Sequence, residues 1–332
     1  MKKEKVLKTV VLFATLIFSS ELLFASKIPV TSVGRSVNRM ASKKDTKNEK
    51  KAKKSKSKEK EKPKSTYKKK AKWDERPVNK FYFDDYDFEN QRPLPVLVEH
   101  ELLLRINGIR ELSGICLSKD EDFLWAVEDN GGLYRIDFDG AFSLEWKKQG
   151  EMEDLALNSE NGNLYIGLES PSKSAYEILF NGSKYNFKKD SKPLFAVEGA
   201  ESFFNNGVEG ITCYNGDLYF GVQTNALLYK YSMGGELKSK KSLCDVENCD
   251  ISEIAGLDYD KENDYLWVLD SENFTIYLFN GEASVLYATY YIRADANSNP
   301  EGICVDKKRG CIWVCEDMEG KALIHKFKFE NL

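Results

Sequence analysis

The chain has 332 residues, with 49 Lys and Arg against 53 Asp and Glu and a formal net charge of −4. That length fits one large domain or two ordinary ones, and 42% apolar residues is ordinary for a globular protein. Only two histidines occur, His100 and His325, which argues against a histidine-rich metal site and against a Ser–His or Cys–His triad.

In chain order, MKKEKVLK supplies a charged start and Thr9–Phe18 (TVVLFATLIF) an apolar core, and SSELLFA leads to a cut expected after Ala25. Residues 1–25 are therefore predicted to be a signal peptide, with an uncleaved anchor as the alternative; the apolar run is short for a membrane span and Glu21 interrupts it. Residues 26–80 hold about 21 basic against about 6 acidic residues. So little apolar surface cannot offset the entropy of ordering, so a disordered lysine-rich tether is expected. Its expected roles are a solvated spacer, contact with an anionic envelope surface, or contact with its own acidic domain. The tether can hold phosphates only without sequence preference, and no specific nucleic-acid partner is expected.

From Phe81 onward the balance reverses, to about 24 basic against about 45 acidic residues. Residues 81–94 form an acidic, aromatic lead-in, whose rings are expected to pack over the outside of the C-terminal domain or to dock on a partner. All seven cysteines come later. Cys116, Cys213 and Cys304 sit in apolar runs and are expected to be buried small hydrophobes. Cys244 and Cys249 (CDVENC) are spaced for a local disulfide in an oxidising compartment, and no CxxC pair suggests zinc.

Between residues 95 and 332 one pattern recurs. It begins as RELSGICLS at Arg110, EMEDLALNS at Glu151, GVEGITCY at Gly207, EIAGLDYD at Glu253 and NPEGICVD at Asn299. Aligned on Gly114, Asp154, Gly210, Gly256 and Gly302, the units are spaced by about 40 to 56 residues. Each holds an apolar run, a polar turn, an aromatic and β-branched run such as FLWAV or CIWVC, and further strands. This predicts an all-β, five-bladed β-propeller. A sixth blade would need a divergent unit in the long gap between the second and third repeats. The last unit lacks its outer strand, and Pro95–Ile106 (PVLVEHELLLRI) is expected to supply it and close the ring.

In an antiparallel hairpin the start of the first strand and the end of the second share one edge. Carboxylates recur at both places, which predicts that they converge on one mouth of the central channel. Glu153, Glu209 and Glu301, directly before the aligned position, are the leading candidates for metal ligands. Glu111, Glu253, Asp129, Asp270 and Asp317 complete the expected set. Neighbouring carboxylates oppose each other's ionisation, and a bound cation relieves this. Oxygen ligands alone favour Ca²⁺ over Mg²⁺. Acids at strand ends also bond to the amides of nearby turns, which is the plainer reading.

The starts ELSGI, VEGI, EIAGL and PEGI, with LWAVEDN and LWVLDSEN after them, resemble the SdiA-regulated (YjiK-like) propeller family, distant relatives of NHL-repeat proteins. The resemblance runs from about Pro95 to the C-terminus and omits the tether. It implies a five-bladed propeller with a bound Ca²⁺. Ser113 and Ala255 depart from the Glu-Gly pattern, and Gln223 stands where other units carry an acid. The expected function is an exported, calcium-binding module of the bacterial cell envelope that holds an unknown protein or small molecule at its acidic face. The alternatives are a scaffold and a Ca²⁺-dependent hydrolase of phosphoesters, esters or lactones, with Arg110, Arg135 and Arg293 as candidate phosphate partners.

Overall fold

The computed structural model describes residues 76–83, 85–170, 173–188, 192–198, 207–292, 299–318 and 321–332. The expected signal peptide and all of the expected tether before Arg76 lie outside the described residues. Among the described residues, no helix is long and apolar enough to cross a membrane.

The lead-in forms β1 (Asn79–Phe81), β2 (Tyr86–Asp87) and β3 (Arg92–Pro93), followed by the long β4 (Val96–Ile106). Blade one is β5 (Leu112–Leu117), β6 (Leu124–Glu128), β7 (Gly132–Ile136) and β8 (Phe142–Lys147). Blade two is β9 (Glu151–Leu157), β10 (Leu164–Ser170) and β11 (Ser174–Ile178). Blade three is β12 (Val208–Tyr214), β13 (Asp217–Val222), β14 (Leu227–Ser232) and β15 (Leu237–Ser242). Blade four is β16 (Gly256–Asp260), β17 (Tyr265–Asp270), β18 (Thr275–Asn280) and β19 (Leu286–Tyr291). Blade five is β20 (Asn299–Asp306), β21 (Cys311–Met318) and β22 (Lys321–Glu330).

This is a five-bladed β-propeller of antiparallel sheets. β4 pairs antiparallel with β22 as the outer strand of blade five, from Val96 opposite Glu330 to Ile106 opposite Ala322. Blade two keeps three regular strands. The segment after Leu179 returns along β11 through the Leu194 N–H to Ala175 and the Val197 N–H to Lys173, as a partial fourth strand. Blade four gains a fifth strand, because β1 pairs with β19 (Asn79 opposite Tyr290). Asn79 and Lys80, within the expected tether, therefore belong to the folded sheet.

The packing explains the unbroken apolar runs. A blade is covered on both faces by its neighbours, so its inner strands have no solvent side. β13 and β17 are buried at every position. The core accordingly splits into five clusters, one between each adjacent pair of blades. The cluster joining blades five and one sets Trp313, Cys315 and Ile324 against Ile115, Leu124 and Ile136. Outer strands cover less, and β8 is exposed at all but one position.

The lead-in lies against blade four. Buried Asp87 accepts the Tyr265 hydroxyl hydrogen bond, and the Asn90 side chain donates to the Asn263 carbonyl at 2.7 Å. Phe81 and Tyr82 pack on core clusters, whereas Phe83 and Phe88 remain exposed. All seven cysteines are free thiols. Cys244 Sγ sits 3.4 Å from the Ile251 carbonyl oxygen rather than on Cys249.

Candidate functional site

The five first strands begin around the channel axis, and the narrowest point lies at the aligned repeat position. A Cβ on Gly114 would stand 2.4 Å from the Asp154 Cα, and one on Gly302 would stand 2.7 Å from the Gly114 Cα. No side chain fits there, so the backbones can approach this closely only because both positions are glycine. Blade two alone carries a side chain at this level. Asp154 is fully buried; its Oδ1 accepts from the Leu155 N–H at 2.8 Å, and its Oδ2 accepts from Ile211 N–H (2.9 Å) and Leu257 N–H (3.4 Å). One carboxyl group thus ties blades two, three and four together at the axis. Burial holds it well above the usual carboxylate range. The sequence signal for it is an Asp in a column otherwise filled by glycine.

On the strand-start side of this waist opens an acidic cavity of about 330 Å³. Blade one lines it with Glu111, Ser113 and Asp129, and blade two with Glu151, Glu153 and Glu169. Blade three adds Glu209 and Gln223, and blade five adds Glu301 and Asp317. Six of the eight expected residues are therefore together: Glu111, Asp129, Glu153, Glu209, Glu301 and Asp317. Glu151, which opens β9, was not among the expected ligands; a second acid two residues before Glu153 is its sequence signal.

Among the described residues, the lining of this cavity does not include the other two expected ligands, Glu253 and Asp270, although the Glu253 charge acts on Glu209 and Glu301. In blade four the acid lies three residues before the aligned glycine, as Glu111 does in blade one, and Ala255 packs in the core between blades four and five. Glu253 instead bonds to the Ser271 hydroxyl. Asp270 is fully buried and accepts from the Ser252 N–H (2.8 Å), the Asn273 N–H (3.0 Å) and the Asn273 side chain (3.0 Å). It serves the turn after β17, as strand-end acids commonly do.

The cavity's carboxyl groups resist ionisation. Burial, then the charges of Glu209, Asp129, Glu169 and Glu301, push Glu153 up to about 10. Burial and the Glu169 charge push Glu209 up to about 7, against the pull of the Gly207 N–H at 3.1 Å. Burial, then Glu209, Glu253 and Asp317, hold Glu301 well above the usual range. Burial also raises Asp129 and Glu169. Local bonds engage some oxygens: Asn130 donates to Glu111 Oε2 at 2.6 Å, and the Asn299 side chain donates to Glu301.

Among the described residues, no three Asp, Glu, His or Cys side chains already stand as a ready-made metal cage. The donor chemistry nevertheless fits a hard cation. The donors are oxygens, no lining side chain among the described residues is basic, and added positive charge would relieve the repulsion that holds protons on Glu153, Glu209 and Glu301.

The remaining candidates lie elsewhere. Glu316, beside Asp317, turns away from the mouth; it bonds to His325 Nε2, and His325 Nδ1 lies 3.1 Å from His100 Nε2. The chain's two histidines thus meet across the β22–β4 pair. Arg135 pairs with Asp137 at 2.9 Å, Arg110 does not line the acidic cavity, and Arg293 lies outside the described residues.

Five blades about a glycine-lined waist, with carboxylates gathered at one mouth, define the class: a five-bladed β-propeller with an acidic channel entrance. The family model for SdiA-regulated proteins matches residues 97–318, and the chain belongs to that family. Its fold is similar to that of glutaminyl cyclase from Myxococcus xanthus, at a TM-score of 0.52 and 10% identity, over 71% of this chain and 97% of that one. It also matches the PQQ-bound aldose sugar dehydrogenase of Streptomyces coelicolor, at a TM-score of 0.46 and 9% identity, over 71% and 98% of the two chains. Such identities show the fold alone. A comparison with curated proteins finds no match.

Proposed function

We propose that this chain is an exported, calcium-binding propeller that acts as a ligand- or protein-binding module of the cell envelope. The observation that carries the reading is the gathering of carboxylates from four blades in one cavity, where burial and mutual repulsion lift Glu153 to about 10 and Glu209 to about 7. Such a cluster is unstable as a set of anions and becomes stable around a divalent cation. Glu153, Glu209 and Glu301, from three different blades, would hold the ion, which would supply positive charge at the mouth for an anionic or carbonyl-bearing partner. Hydrolysis of phosphoesters is the weaker reading, because among the described residues the cavity lining holds no Lys or Arg, and Lys173 acts on Glu169 and Glu209 from outside it. Export rests on the signal-peptide pattern of residues 1–25, and attachment to an anionic envelope surface rests on the lysine-rich residues 26–80.

Thermal unfolding of the full chain in Ca²⁺, in Mg²⁺ and in chelator tests this. A ligand that binds only the folded state raises its stability by mass action. The expected result is a rise with Ca²⁺ that exceeds the rise with Mg²⁺ and that is lost in Glu209→Gln. Identical unfolding in all three conditions would remove the basis of the reading.

A further inference from the structure

The first strands run past the Asp154 waist to the opposite end of the channel, where a second and larger cavity of about 560 Å³ opens. Every blade reaches it: Cys116 from blade one, Leu157 from two, Thr212 from three, Asp258 from four and Cys304 from five. Among the described residues, the acidic mouth has no aliphatic or thiol wall. This end has both, among many polar and charged side chains, and apolar walls with convergent polar groups are the make-up of a small-molecule site.

Polar and charged groups are numerous around this cavity, and Thr212 and Asp258 are two without a side-chain partner among the described residues. The thiols of Cys116 and Cys304 are pushed well up by burial, so they are neutral and behave as small apolar surface. Thr212 is 4% exposed, lines the cavity, and its hydroxyl bonds to no other group among the described residues. Asp258 accepts from the Tyr259 N–H at 2.8 Å and the Val305 N–H at 2.6 Å. Burial lifts it to about 6, and a cation beside it favours its ionised form. Two lysines stand at the rim, but both are committed to other acids. Lys261 pairs with Glu160 at 2.8 Å, and Lys307 pairs with Glu262 at 2.6 Å and Asp260 at 3.2 Å. Among the described residues Asp258 forms no ion pair. A carboxylate partly screened from water favours a partner of opposite sign.

We propose that this second cavity binds a small molecule that carries a primary ammonium on an apolar body. Asp258 takes the charge and the Thr212 hydroxyl takes a further hydrogen bond. The body lies against Leu157, Val305, the Tyr259 ring and the two neutral thiols. A quaternary ammonium fits less well, because it lacks the N–H groups that the carboxylate and hydroxyl would accept. The site stands apart from the acidic mouth, since the Asp154 waist separates the two, so it does not depend on metal binding there.

The test is calorimetric titration of the full chain at neutral pH with 2-phenylethylamine and with its uncharged counterpart, 2-phenylethanol. The amine is expected to bind saturably and at least about tenfold more tightly than the alcohol. Asp258→Asn should abolish that preference, and Thr212→Val should weaken amine binding several-fold, while both leave the Ca²⁺-linked change in unfolding temperature intact. If Asp258→Asn fails to fold, the amine-to-alcohol ratio and Thr212→Val still decide. Equal affinity for the two probes, no saturable binding of the amine, or a preference unchanged in a folded Asp258→Asn protein would overturn the proposal.

Discussion

Glu209 and Glu153 tie the stability of the fold to pH. A glutamate in the unfolded chain titrates near 4.5, whereas in the fold these two are lifted to about 7 and about 10. Between those values the folded chain holds protons that the unfolded chain has lost. Stability therefore falls as pH rises through this window. In chelator the unfolding temperature is expected to fall from about pH 5 to about pH 8, and Glu209→Gln should recover on the order of 2 kcal/mol at the upper end. A pH profile that Glu209→Gln leaves unaltered would contradict this. Asp154 gives a second prediction. Asp154→Ala strands the Ile211 and Leu257 amides in a dry waist, at an expected cost of about 2 to 3 kcal/mol by urea unfolding. A third concerns the glycines. Gly302→Ala places a methyl 2.7 Å from the Gly114 Cα, and the expected cost is at least about 2 kcal/mol; a variant as stable as the parent would mean that the waist yields easily.

At the scale of elements, β4 is the informative strand. It lies outside the five repeats, yet it covers the edge of β22 and contributes Leu97 and Ile106 to two separate inter-blade cores. A chain that begins at Asn107 should lose cooperative unfolding and aggregate through the bared edge, whereas one that begins at Arg76 should fold. Near-ultraviolet circular dichroism of both, with denaturant titration, checks it; a cooperative fold in the shorter chain would show that β4 is dispensable. The blades were legible in the sequence because each inner strand is buried on both faces and so writes an unbroken aromatic and β-branched run. β1 was not legible: NKF carries no strand pattern, and only the free edge of β19 makes it one. Glu153, Glu209 and Glu301 were legible from their place beside the aligned residue, and Glu111, Asp129 and Asp317 from the strand ends they flank. The bonds that engage Glu253 (to Ser271) and Asp270 (to the Asn273 turn) leave no trace in the local pattern, since Glu253 stands three residues before its glycine just as Glu111 does. The meeting of Glu316, His325 and His100 is set by the β22–β4 register, which joins residues far apart in the chain and leaves no local trace.

For the whole molecule, the ring explains why the repeats end their strands in acids. Five blades bring the strand starts so close that only glycine and one Asp fit at the axis, and the residues just outside that level are forced together. The acidic mouth is a consequence of this geometry, and its charge must be balanced by protons or by a cation. If Ca²⁺ binds there, it must displace protons from Glu153, Glu209 and Glu301, since burial and mutual repulsion raise all three. The most direct measurement is calorimetric titration of Ca²⁺ into the full chain at neutral pH in two buffers of different ionisation enthalpy, which counts the protons released. Saturable binding is expected, with about one proton or more released per ion and a smaller release in Glu153→Gln and Glu209→Gln. Binding without proton release, or no binding at all, would mean that the carboxylates of the mouth do not form a cation site.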